Sequence, residues 1–143
     1  MKGVIWRLPF CIFTMNLEIK VMLLKNAIEF ARKNEKNLNC NSIVYKVYEQ
    51  DELIYVGIGG KGKRKGSGRL AEHKSESLYS SFRFQYYMDK WDLGYTRAQA
   101  NEMWNNLDWG LIQFYEIEDA DLKETELIST FSPKYNRDKK QLV

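Results

Sequence analysis

The sequence contains few of the residues that hold small proteins together through metal ions or disulfide bonds. It has two cysteines, Cys11 and Cys40, and a single histidine, His73. This count excludes a Cys/His zinc site and argues against a disulfide framework. A chain without disulfides is typical of a reducing compartment. We therefore expect a cytoplasmic protein, in a bacterial cell or a phage-infected host.

Long apolar runs are also missing. Residues 1–14 are mostly apolar, but Arg7 and Pro9 interrupt them, and the segment is too short to span a bilayer. It lacks the pattern of a signal peptide. Two interpretations stay open: a buried strand, or residues upstream of a true translation start at Met15. No membrane partner is expected.

The chain has little excess charge, at +3 from 22 basic and 19 acidic residues. The average hides a basic loop, because residues 58–74 hold six basic side chains against one acid, Glu72. Such a loop neutralises phosphates without reading bases. The side chains predicted to bind nucleic acid are Lys61, Lys63, Arg64, Lys65 and Lys74.

The length of 143 residues and an apolar fraction of 44% fit one globular domain with an accessory element. Apolar residues recur every three or four positions from Leu17 to Ala31, which predicts an amphipathic helix. The polar residues 32–41 are interpreted as a linker. We therefore divide the chain into an extension, residues 1–40, and a domain, residues 41–143. The helix could bind DNA, form a homodimer or pack on the core, and we favour the last two.

The domain itself is predicted to follow the order β-β-α-α-α-β-α. Residues 42–48 and 53–57 form a hairpin with a four-residue turn, and a glycine-rich loop follows to residue 68. Helices are expected at residues 69–91, with a break near residue 80, at 96–106 and at 119–131, with a strand at 109–116. The fold class is α+β, a small three-stranded antiparallel sheet flanked by helices, with a helical extension at the N-terminus.

The glycine loop matches two nucleotide-binding motifs only weakly. A phosphate-binding P-loop needs Ser or Thr after its lysine, and Arg64 stands there instead. A dinucleotide fold needs an apolar helix that begins at the third glycine, whereas this loop stays basic up to Gly68. A nucleotide-cofactor enzyme is therefore a minor hypothesis.

Several short motifs, spread along the chain, occur in one order. Ile43-Val44-Tyr45 and Tyr55-Val56-Gly57 lie in the hairpin, Arg69 and His73 share a helical face, and Glu124 precedes a Leu-Ile pair. Pro133-Lys134-Tyr135-Asn136 follows that pair near the C-terminus. Together, over residues 42–136, these motifs resemble the GIY-YIG nuclease family. Two positions depart from its pattern: Ile43 replaces the leading glycine, and Ile58 stands where a polar or basic residue is common.

The resemblance implies an Mg²⁺-dependent DNA endonuclease, in which Mn²⁺ could substitute for Mg²⁺. It assigns the site to Tyr45, Tyr55, Arg69, His73, Glu124 and Asn136. Glu124 would hold one metal ion, and the fork of Arg69 suits two phosphate oxygens. The general base stays open between Tyr55, which the resemblance favours, and His73, whose ordinary pKa of about 6.5 suits the task. Asn136 would tie the C-terminal tail to the site or orient Glu124.

Two acids compete for the metal. Glu124 lies three, four and seven residues before Leu127, Ile128 and Phe131, so it shares the predicted sheet-facing side of the last helix. Glu126 points roughly 140° away from that side. We therefore choose Glu124. The alternative function is a nucleic-acid-binding protein that keeps the nuclease fold without catalysis.

Overall fold

The computed structural model describes residues 21–62, 64–74 and 81–136. The elements within these residues are α1 (Leu24–Leu38), β1 (Ser42–Glu49), β2 (Glu52–Gly59), α2 (Gly66–Lys74), α3 (Ser81–Asp92), α4 (Arg97–Asn105), β3 (Asp108–Phe114), α5 (Ile117–Phe131) and a 3-10 turn (Lys134–Asn136). The α+β class and the three-stranded antiparallel sheet are confirmed. From β1 onward, the order of the described helices and strands is the predicted one. Residues 1–20, with the alternatives for residues 1–14 and the start of the predicted helix, and Lys63 lie outside the described residues.

The sheet has the strand order β2-β1-β3, with both pairs antiparallel. The turn between β1 and β2 consists of two residues, Gln50 and Asp51, and not of the four predicted. Both have positive φ, at 48° and 67°. Such left-handed pairs match the twist of a hairpin, so the strands continue closer to the turn than the polar residues suggested.

Helix α1 runs further than predicted. It continues through Arg32 to Leu38, so most of the expected linker is helical. Asn34 and Glu35 are buried although they are polar, because each has a hydrogen-bond partner on another element. The inner residues Ala27, Ile28 and Ala31 join the same core cluster as the β1 residues. The helix thus packs on the sheet, while the division at residue 40 stays a prediction.

The sheet separates two cores. One is rich in aromatic rings and lies under α1, α2 and α3; its members include Tyr45, Tyr55, Phe82 and Trp109. The other lies under α5 and is mainly aliphatic, formed by Val44, Val56, Ile112, Phe114, Ala120 and Leu127. Alternate residues of each strand point to opposite faces, which is why neighbours such as Val44 and Tyr45 enter different cores.

Two smaller findings bear on the setting of the protein. Cys40 is disulfide-bonded, and its partner lies outside the described residues. The expectation of a chain without disulfides was therefore wrong, and the cysteine count no longer supports a cytoplasmic location. Among the described residues no helix is both long and apolar enough to cross a membrane.

Candidate active site

The hairpin brings its two tyrosines together on the aromatic face. Tyr45 is the cross-strand partner of Gly57, and Tyr55 lies two residues earlier on β2. Their ring centroids are 6.1 Å apart. A Cβ atom at Gly57 would overlap the Tyr45 ring at Cζ and Oη. The glycine of the Tyr-Val-Gly motif is therefore required for space, since any side chain would displace the Tyr45 phenol.

Helix α2 carries Arg69 and His73 against these phenols. His73 is fully buried, and its Nε2 shares a hydrogen bond of 2.7 Å with the Tyr45 hydroxyl. Its ring also lies edge-on to both tyrosines, at 5.3 Å from Tyr45 and 6.2 Å from Tyr55. Arg69 and His73 thus share one face of α2, as their four-residue spacing predicted, and both side chains point towards the phenols.

His73 is held in its neutral form. Burial lowers its pKa to about 3, and the positive charges of Arg69 and Arg83 contribute to the shift. A group with this pKa is a weak base at neutral pH. The arrangement therefore suits His73 as a residue that holds a tyrosine in place, and the tyrosine it holds is Tyr45.

The two phenols differ in what surrounds them. Burial raises the pKa of Tyr45 well above the ordinary value, and the charges of Tyr55 and Glu124 raise it further, against the opposing charge of Arg69. Burial also raises the pKa of Tyr55, but the charge of Arg69 and hydrogen bonds from Arg69 and Tyr45 lower it. Both phenols thus have a raised pKa, but more of the surrounding groups favour the anion of Tyr55 than that of Tyr45.

Arg69 gives the cluster its cation and its contact with solvent. Its side chain is 26% exposed, whereas Tyr55 is 9% exposed and Tyr45 is fully buried. Arg69 Nη1 donates a 2.5 Å hydrogen bond to Glu72, which also pairs with Arg64. Burial opposes the ionisation of Glu72, yet hydrogen bonds from the two arginines lower its pKa. A guanidinium has five N–H donors, and the hydrogen bond to Glu72 does not use all of them. Arg69 can therefore bind a phosphate while it remains paired with Glu72.

The two competing glutamates lie on different sides of α5 as predicted, but Phe131, predicted on the same side as Glu124, is 57% exposed. Glu124 is 5% exposed and lies on the sheet-facing side of α5 with Ala120 and Leu127, whereas the Glu126 side chain is 64% exposed. The Glu124 carboxylate raises the pKa of both phenols through its charge, so it lies within electrostatic range of them.

The oxygen donors of this cluster fit a hard cation such as Mg²⁺. Glu124 supplies a carboxylate, and the imidazole nitrogen nearest the phenols, His73 Nε2, is bound to Tyr45. Among the described residues no three His, Cys, Asp or Glu side chains form a metal-binding group. One carboxylate suffices for an ion that keeps several waters and takes further oxygen ligands from a phosphate.

Asn136 binds the free edge of β2 next to Tyr55. Its Oδ1 accepts a 2.9 Å hydrogen bond from the Val56 amide, and its Nδ2 donates one of 2.8 Å to the Val56 carbonyl. The side chain therefore mimics a neighbouring strand at an otherwise open edge. Of the two roles considered for Asn136, the geometry matches the tie between the C-terminal tail and the site.

Comparison of the chain with protein-family models, with curated proteins and with solved structures finds no match.

The predicted phosphate-binding residues are distributed around this cluster. Lys61 forms an ion pair of 3.2 Å with Asp121 of α5, and Arg64 pairs with Glu72. Lys65 and Lys74 are exposed at the two ends of α2. Arg64, Lys65 and Lys74 therefore lie near the ends of the helix that carries Arg69, whereas Lys61 lies against α5. The departures from the motif are accommodated as well: Ile43 fills the space that the absent side chain of Gly66 leaves, and Ile58 packs on the aliphatic core.

Sequence reasoning missed two residues that support the site. Glu35 of α1 accepts hydrogen bonds from the Ser67 amide at 2.8 Å and the Ser67 hydroxyl at 2.5 Å, so it caps α2 at its N-terminus. Phe82 of α3 stacks on Tyr55 with centroids 4.2 Å apart and planes 5° from parallel. The signal for Glu35 was present, because it continues the three-to-four spacing of Ala27, Ile28 and Ala31. A polar residue at that position was taken for the end of the helix.

Proposed function

We propose that the protein is a DNA endonuclease of the GIY-YIG type that hydrolyses phosphodiester bonds with one divalent metal ion. The observation that supports this most is the convergence of five side chains from four elements, β1, β2, α2 and α5. They supply two phenols, a guanidinium, an imidazole and a carboxylate whose charge acts on both phenols. The chemistry of phosphodiester hydrolysis needs a base, a cation on the phosphate and a stabiliser of the leaving oxygen.

Each role falls to a particular side chain. Arg69, the most exposed member, binds the phosphate. Tyr55 takes the proton of the attacking water, because the charge of Arg69 counters the effect of burial on its pKa and so favours its phenolate. Tyr45 is fixed by His73 and orients Tyr55. Glu124 would hold Mg²⁺, which would supply a Lewis acid for the leaving oxygen. Asn136 keeps the strand of Tyr55 in place.

The test is plasmid nicking with purified protein in Mg²⁺, in Mn²⁺ and in EDTA. We expect nicking that requires the metal. Glu124→Gln should lower the rate at least about a hundredfold, the size of effect seen when one electrostatic group of an active site is lost. Glu126→Gln is the matched control, since it makes the same change two residues away on the exposed side of α5, and its rate should equal that of the wild type.

The second candidate, a binding protein without catalysis, is favoured by the burial of Tyr45 and His73, which leaves little of the cluster open to substrate. It predicts DNA binding without nicking in either metal. Nicking that persists in Glu124→Gln would instead exclude the mechanism proposed for the enzyme.

A further inference from the structure

A cavity of about 580 Å³ lies between α3 and α4, away from the tyrosine cluster. Its walls carry aromatic and apolar side chains with unusual exposure for their size: Phe84 45%, Met88 44%, Trp91 65% and Tyr95 39%. The volume is within the range of small-molecule sites, of roughly 300–1,000 Å³. We call this cavity, with these four residues and Arg83, Tyr87, Arg97 and Asn101, the α3–α4 groove.

The charged residues that line the α3–α4 groove are all basic. Two of the residues that line it are arginines, Arg83 and Arg97, and none is acidic. Arg97 is exposed, and within the described ranges no ion pair involves it. A cavity that combines exposed rings with the exposed guanidinium of Arg97 is complementary to a ligand that is both aromatic and anionic. A nucleotide has this chemistry, since bases stack on aromatic side chains and arginines bind phosphates.

Asn101 gives the α3–α4 groove a fixed polar group. Its Oδ1 accepts hydrogen bonds from the Tyr87 hydroxyl at 2.6 Å and from Arg83 Nη2 at 3.2 Å. These contacts identify the other end of the amide, Nδ2, as the one available to a ligand. An amide donor beside stacked rings suits the acceptor atoms on the edge of an unpaired base.

The α3–α4 groove is connected to the proposed active site. Arg83 donates hydrogen bonds to the carbonyls of His73 at 3.1 Å and Lys74 at 3.0 Å, at the C-terminal end of α2. Lys74 lies five residues beyond Arg69, which is about 7.5 Å along a helix. Phe82, next to Arg83, stacks on Tyr55. A strand whose phosphate contacts Arg69 could therefore continue past Lys74 to the groove.

We propose that the α3–α4 groove binds an unpaired nucleotide of the DNA substrate, with the base stacked on Trp91 and Tyr95 and a phosphate on Arg97. This inference rests on the proposed nuclease function and names a feature of its substrate, an unstacked base near the scissile phosphate. The binding can be measured without cleavage, in full-length protein that carries Glu124→Gln.

The experiment compares fluorescence anisotropy of a labelled single-stranded oligonucleotide with that of its duplex. Trp91→Ala should weaken single-strand binding roughly tenfold, the loss expected from one stacked base, and should weaken duplex binding much less. Arg97→Ala should weaken single-strand binding through the loss of a phosphate contact. The matched controls are Phe131→Ala, an exposed ring on α5, and Arg32→Ala, an exposed cation on α1, neither of which should change affinity. Quenching of a single 2-aminopurine in the strand should depend on Trp91.

Single-strand binding that is equal in the Trp91→Ala and control variants would overturn the proposal. So would sedimentation data in which Trp91→Ala abolishes self-association but leaves DNA binding intact, because the groove would then join two copies of the chain. The two proposals fail separately. If nicking requires Glu124 but binding does not depend on Trp91, only the proposal for the α3–α4 groove is contradicted. If binding depends on Trp91 but no nicking occurs, only the proposed catalytic function is contradicted.

Discussion

The two faces of the sheet are built from different kinds of side chain although they share the same three strands. Under α5 the buried residues Val44, Val56 and Ile112 offer only apolar surface. The opposite face buries Tyr45 and His73, whose polar atoms must be paired to offset their lost hydration. Apolar side chains could fill the same space without any lost hydration of polar atoms. The aromatic face therefore carries most of the proposed site, and Glu124 of α5 is the one member that comes from the aliphatic side.

The sharpest way to test this comparison is to remove one hydroxyl at a time from the aromatic face. Tyr55→Phe should lower nicking about a thousandfold, the typical contribution of a general base. Its stability should change little, because the stack on Phe82 needs only the ring. The measurements are the nicking rate in Mg²⁺ and the free energy of unfolding in urea.

Tyr45→Phe is the matched variant, and it should behave differently. It leaves His73 Nε2 without its 2.7 Å partner, so it should cost about 1–2 kcal/mol of stability. The loss of nicking should be smaller than for Tyr55→Phe. The reverse order of the two rates would assign the base to Tyr45.

A second change concerns the guanidinium. Arg69→Lys keeps the charge but loses the planar fork, so nicking should fall about a hundredfold. Arg64→Lys is the control, since Arg64 pairs with the same Glu72 from a more exposed position, with 58% of its side chain exposed. Equal rates for both variants would mean that the cluster uses only the charge of α2 and not the shape of Arg69.

The third prediction uses pH. His73 is the only histidine of the chain, and its pKa is lowered to about 3 in the folded state from about 6.5 when unfolded. Between these values the unfolded chain binds a proton that the folded chain excludes. Stability is therefore present above pH 6.5 and is lost as the pH falls. We expect a loss of about 1–2 kcal/mol between pH 6.5 and 5, measured by urea unfolding, before carboxylates dominate.

The variant His73→Gln should remove most of that slope, because no other group is expected to titrate in this window. A slope that is unchanged in His73→Gln would show that His73 is accessible to protons in the folded state. The proposed hydrogen bond with Tyr45 would then be too weak to keep the imidazole neutral.

The sequence predicted the parts of this molecule that depend on local pattern. Alternation gave the hairpin, and the four-residue spacing of Arg69 and His73 gave their common face. The capping box of Thr96 and Gln99, present at the start of α4, similarly follows from local geometry. The choice of Glu124 over Glu126 succeeded for the same reason, since helical period alone decides which of the two faces the sheet.

The features that the sequence did not reveal depend on contacts between distant elements. Glu35 lies 32 positions from Ser67, and no local rule indicates that it caps α2. Asn34, in the segment predicted as a linker, lies 79 positions from Gln113, to which it donates a hydrogen bond. The polar pattern of residues 32–41 predicts a linker, because sequence pattern cannot show that Asn34 and Glu35 have hydrogen-bond partners on other elements.

The smallest expected effect compares neighbouring residues of β3, which enter opposite cores. Ile112 lies on the aliphatic face, and Leu111 is the cross-strand partner of Tyr45. Ile112→Val and Leu111→Val each remove one methylene from a fully buried position, so each should cost about 1 kcal/mol. Nicking should be unchanged in Ile112→Val. It should fall several-fold in Leu111→Val, because the vacated space allows the Tyr45 ring to shift away from His73, and catalytic rates depend steeply on such displacements. Equal nicking rates at equal stability would mean that the aromatic face tolerates movement as well as the aliphatic one does, and its polar groups would then need an explanation other than catalysis.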